Sequence, residues 1–166
     1  MKRVGVILAI ALLCGSAPAY AQQTIFVVRH AERADSVKGT APTMAADPEL
    51  SQAGQARAQS LAAALKDARI TSIYTTQFKR TRQTAEPLAS ALGIQLTVVP
   101  AADLAGLIAK VKGGGNALVV GHSNTVGEIV AGLGVSEPVK LGDDDYDNLL
   151  VVVAGEKPTL VRLHFR

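Results

Sequence analysis

The chain has 166 residues, with 17 lysines and arginines against 14 aspartates and glutamates, a formal charge of +3 and one cysteine. That length suits one domain around one sizeable core, and a lone cysteine excludes an intrachain disulfide. The charge does not mark a nucleic-acid surface, because no basic run is interleaved with aromatics.

Residues 1–21 open with Met1-Lys2-Arg3, run apolar from Val4 to Leu13, and close on Ala19-Tyr20-Ala21. A basic start, a short apolar stretch and small residues before the cut predict a secretory signal peptide cleaved after Ala21. The apolar part falls short of the roughly 20 residues of a membrane span, so no stable membrane insertion is expected after cleavage. Cleavage also removes Cys14, and with it any thiol nucleophile, and takes Lys2 and Arg3, lowering the charge from +3 to +1. The expected location is periplasmic or secreted, with residues 22–166 as the single domain.

The apolar run 24–29 predicts a first strand, which stops abruptly at Arg29 and His30, with Glu32, Arg33 and Asp35 close behind. A loop of small residues and prolines follows at 36–49. Helical spacing over 51–68 puts Leu61, Ala64, Leu65 and Ala68 on one face behind a Ser51 cap. A strand at 72–75 leads through Thr76 into a helix over 78–92, which carries Arg80 and is closed by Gly93. A strand at 95–99, a helix at 103–112 that opens on Asp103, a strand at 117–121 and a helix at 125–133 come next. The loop 136–147 contains Asp143-Asp-Asp-Tyr-Asp147, which lacks the glycine and distal glutamate of a calcium loop and is expected to be a solvated acidic turn. Strands at 149–153 and 159–164 are joined closely enough for a hairpin. Strands alternating with helices imply a three-layer αβα sandwich. Its central sheet has about six mostly parallel strands and an antiparallel edge strand.

Ligands of such sheets sit beyond the carboxyl ends of the strands. There the sequence assembles Arg29 and His30, Arg80, and His122 followed by Ser123 and Asn124. Guanidinium groups suit a phosphate dianion, and a helix start after His122 would add backbone N–H groups. Arginines repel a divalent cation and no metal-ligand spacing is present, so neither a metal nor another cofactor is expected. A neutral His30 can attack phosphorus, while the arginines stabilise the transferred group, joined by His122 if it is protonated in the complex.

Four motifs in order carry a family resemblance: "VRHAE", "LSQAGQARAQSLAAAL", "IYTTQFKRTRQTAEPLA" and "VVGHSNTV", followed by "YDNLLVV". Together they resemble the histidine phosphatase superfamily, also called phosphoglycerate mutase-like, in its small single-domain branch 1 type. The resemblance implies that Arg29 and Arg80 bind phosphate, that His30 is the nucleophile and that His122 is the second histidine. Thr76 stands where the family usually has serine. Arg82, about 200° around the helix from Arg80, is expected to point elsewhere, and His164 to be structural.

The family's leaving-group acid is a carboxylate whose position varies. Asp103 and Glu32 are the candidates, with water or the substrate itself as the alternative; Asp103 also reads as a helix cap. Glu32, Thr76, Ser123 and Asn124 are candidate substrate-binding groups, the last three equally readable as helix caps. The expected activity is metal-independent hydrolysis of a phosphomonoester or phosphoramidate, small-molecule or protein-borne, through phosphohistidine. The alternative is a non-catalytic extracytoplasmic module that binds an anionic ligand. A mutase would need a lid that this short chain has little sequence to build.

Overall fold

The computed structural model describes residues 22–35 and 47–165. The expected signal peptide and most of the 36–49 loop lie outside them. Six strands and four helices alternate: β1 (Thr24–Arg29), α1 (Gln52–Leu65), β2 (Ser72–Thr75), α2 (Lys79–Leu92), β3 (Leu96–Val98), α3 (Leu104–Lys112), β4 (Ala117–Gly121), α4 (Val126–Gly132), β5 (Asn148–Val153) and β6 (Thr159–His164). The sheet order is β3-β2-β4-β1-β5-β6. β3, β2, β4 and β1 are parallel, while β5 runs against both β1 and β6. The expected antiparallel edge is therefore a β5–β6 hairpin.

β1 and β4 are central, and their sequences show why. β4 reads ALVVG and is buried at every position, as a strand covered on both faces must be. Alternate residues serve opposite layers. Ile25, Val27, Ala117 and Val119 pack towards α3 and α4 with Val111, Ile129 and Val130. Val28, Leu118 and Val120 pack towards α1 and α2 with Leu61, Leu65 and Leu88. One core on each face clamps the carboxyl ends of β1 and β4 in fixed register.

Helix ends depart from the pattern in small ways. α1 stops at Leu65 rather than Ala68, and the chain turns out through Arg69, whose φ is +53°. Ala68 still packs on the core, which is why it belonged to the apolar stripe. α2 ends at Gly93 in the left-handed conformation, φ +66°, a position glycine takes without steric cost. α4 is one residue shorter than expected at each end.

Candidate active site

Parallel pairing of β1 with β4 puts Arg29 opposite Gly121, so the residues that follow each strand emerge side by side. The His30 N–H donates to the Gly121 carbonyl at 3.0 Å, and the His30 and His122 rings lie 5.4 Å apart, edge to face. Two side chains of α2 hold the first-strand loop in place. Thr84 Oγ1 accepts from the Ala31 N–H at 2.9 Å, and Gln83 Oε1 accepts from the Leu50 N–H at 2.8 Å. Gly54 of α1 packs so closely that a Cβ there would lie 2.2 Å from the Glu32 carbonyl oxygen. The Arg-x-x-Gln-Thr-Ala and Leu-Ser-x-x-Gly patterns thus have a mechanical reading, since they fasten both helices to the His30 loop.

The two histidines are buried and both are held neutral. Burial lowers His30 to about 3, against the opposing pull of its Ala31 bond and with help from His122, Arg29 and Arg80. Burial, followed by Arg80, Arg29 and Arg33, lowers His122 to about 4. His30 Nδ1 lies 2.8 Å from the Ala31 carbonyl. A carbonyl only accepts, so Nδ1 carries the proton and Nε2 keeps its lone pair. That is the state of a nucleophile at neutral pH.

Arg80 is 1% exposed. Its guanidinium lies over the Phe78 ring at 4.3 Å, contacts His122 Nδ1 at 3.4 Å and faces Asp47 at 3.7 Å. Arg29 stacks on Tyr146 at 4.1 Å and donates to the Gly142 and Asp143 carbonyls, both at 2.8 Å, and to the Tyr146 hydroxyl at 3.3 Å. The Nε of Arg29 is buried and has no hydrogen-bond partner among the described residues. A buried cationic donor in that state is stabilised by an arriving anion. Arg33 is a third buried arginine, paired in bidentate fashion with Asp35.

Arg29, His30, Arg80 and His122 are therefore brought to one sheet edge, whereas both candidate acids are engaged with other partners. Glu32 forms a bidentate pair with Arg57, with contacts of 2.6–2.9 Å. Burial pushes its carboxyl up, but the Arg57 hydrogen bonds outweigh that and hold it below its ordinary value. Asp103 is exposed and caps α3, accepting from the Gly106 N–H at 2.9 Å. Thr76 is turned towards His122 and Thr81. Ser123 and Asn124 face a groove shared with Gly127, Val139 and Leu141. The expected backbone donors after His122 are partly used, because the Thr125 and Val126 N–H groups turn back onto the His122 carbonyl. Arg82 is exposed, as its helical phase predicted, and His164 pairs with Asp147 at 3.1 Å.

Tyr146 is a site residue that sequence reasoning missed. Its ring centroid lies 6.3 Å from that of His30, and the acidic turn around it supplies the carbonyls that hold Arg29. An aromatic residue inside a run of aspartates was the available signal.

Two adjacent parallel strands thus bring two neutral histidines beside two buried arginines at one sheet edge of an α/β protein, a charge arrangement that suits an oxyanion. Residues 25–105 match the model of the histidine phosphatase superfamily, branch 1. Over those residues the chain is similar to that superfamily. No curated protein sequence matches it, while solved structures match its fold. The protein histidine phosphatase SixA complexed with tungstate is 20% identical, with a TM-score of 0.65 over 86% of this chain and 97% of that one. The mycobacterial glucosyl-3-phosphoglycerate phosphatase complexed with VO3 is 16% identical, with a TM-score of 0.69 over 83% and 97%. A structure described as mycobacterial hydrolase 1 is 16% identical, with a TM-score of 0.67 over 85% and 97%.

Proposed function

We propose that the protein is an exported phosphatase that transfers the phosphoryl group of a phosphomonoester or phosphoramidate to Nε2 of His30. Water then hydrolyses the phosphohistidine, releasing phosphate and restoring the neutral ring. The superfamily match and the phosphatase neighbours support phosphatase activity. Two of those neighbours are complexed with the oxyanions tungstate and VO3.

The observation that carries the mechanism is the protonation state of His30, with Nδ1–H tied to Ala31 and burial favouring the neutral ring. In the transfer, the P–O or P–N bond breaks as the N–P bond forms. The charge on the equatorial oxygens meets the fixed cations of Arg29 and Arg80. Arg29 and Arg80 disfavour a divalent cation at the same place, so the reading is metal-independent. Export rests on the pattern of residues 1–21.

The test is hydrolysis of an aryl phosphate in EDTA, with acid quench to trap the phosphoenzyme. His30→Ala is expected to abolish both turnover and the trapped species, and Arg80→Ala to cost on the order of 10²-fold. Equal turnover by wild type and His30→Ala would overturn the proposal. An oxyanion that binds wild type without turnover or phosphoenzyme would favour the non-catalytic module.

A further inference from the structure

Thr76 and Thr81 form a chain of hydroxyls whose direction can be worked out. Thr81 Oγ1 lies 2.8 Å from the Phe78 carbonyl and 3.1 Å from the Thr76 carbonyl. Carbonyls only accept, so the single Thr81 proton goes to one of them. The 2.9 Å contact between Thr76 Oγ1 and Thr81 Oγ1 then has Thr76 as its donor. With its proton spent, Thr76 can only accept from His122 Nε2, 3.1 Å away. The other side of the ring gives the same answer, because Arg80 Nη2, 3.4 Å from Nδ1, has hydrogens to give and no lone pair to offer. All of these side chains are buried, which strengthens the order that their own hydrogen bonds impose.

We propose that Thr76 and Thr81 are positioning residues that fix His122 as its neutral Nε2–H tautomer, so that the ring meets a phosphoryl oxygen as a donor without first taking up a proton. The inference rests on the phosphatase reading for its purpose. The N–H waits on a neutral hydroxyl, and a charged phosphoryl oxygen is the stronger acceptor. The opposite tautomer would leave Nε2 without a proton to give and set an N–H against Arg80. The two rings are thereby set in complementary states: His30 offers a lone pair at Nε2, and His122 offers a proton there.

Two-bond ¹H–¹⁵N correlation of the imidazole rings reads tautomers directly, and only three histidines contribute. Wild-type His122 is expected to show the Nε2–H pattern at neutral pH. Thr81→Val leaves the Thr76 proton free to turn on Nε2, and Thr76→Val removes the acceptor, so both are expected to introduce the Nδ1–H form. Phosphoenzyme formation should slow about tenfold in each, the scale of one hydrogen bond. Thr76→Ser should restore both spectrum and rate, with KM for the aryl phosphate held throughout. An Nδ1–H pattern in wild type, or an unchanged pattern in both valine variants, would overturn the inference. If wild type forms no phosphoenzyme, the phosphatase reading fails while the ring spectra still decide this one.

Discussion

Arg57 takes Glu32 out of contention as a proton donor. A carboxylate held below its ordinary value by a bidentate guanidinium is ionised at neutral pH, and Asp103 spends its oxygen on the start of α3. Two further carboxylates near the site are also engaged, Asp35 with Arg33 and Asp47 with the Lys79 N–H at 2.9 Å. A site so arranged suits leaving groups that depart without an acid, such as phenolates, or the nitrogen of a phosphoramidate that water can protonate. We expect aryl phosphates to be turned over at least about 10²-fold faster than alkyl phosphates, the lower end of what general acid catalysis contributes. A head-to-head comparison of kcat/KM for an aryl and a primary alkyl phosphate checks this. Equal rates would mean that one of these carboxylates, or His122, delivers a proton after all.

At the scale of elements, α1 and α2 matter chiefly for how they grip the His30 loop, and Gly54 is the sharpest case. Helix propensity alone favours alanine over glycine by about 1 kcal/mol. Against that, a methyl group at this position would stand 2.2 Å from the Glu32 carbonyl oxygen, which belongs to backbone and cannot swing aside. Overpacking of this kind costs about 1–3 kcal/mol, so the clash wins. Gly54→Ala is expected to lower Tm and to reduce kcat by displacing the loop, as a thermal melt and a rate assay on the same preparation would show; a higher Tm would mean that α1 has room to shift. The strands, Arg29, His30, Arg80 and His122 were legible because period, strand ends and motif spacing are local signals. Arg57 on Glu32, Asp47 on the start of α2 and Tyr146 on Arg29 were not. Each joins segments far apart in sequence through loops with no periodicity, and partners of that kind are settled only when the sheet brings their ends together. The acidic turn was read as merely solvated because its backbone carbonyls, rather than its charges, do the holding.

At the scale of the whole molecule, burying two neutral imidazoles links stability to pH. Folded His30 titrates at about 3 and His122 at about 4, against 6.5 ordinarily. Between those values the unfolded chain binds more protons than the folded one, so stability rises with pH across the window and falls as pH drops from 6.5 towards 3. Glu32, held low by Arg57, acts in the same direction nearer its own range. We expect Tm to fall by on the order of 5–10 °C between pH 7 and pH 4.5 at constant ionic strength. The His30→Gln, His122→Gln double variant keeps Glu32 but lacks both rings, so its Tm should change much less over that interval. Parallel curves for the two proteins would place the linkage in the carboxylates instead. Saturating tungstate separates the contributions further. An oxyanion gives a protonated His122 the partner that burial denies it, so the bound protein should lose less stability on acidification than the free one, and the double variant should show no such gain.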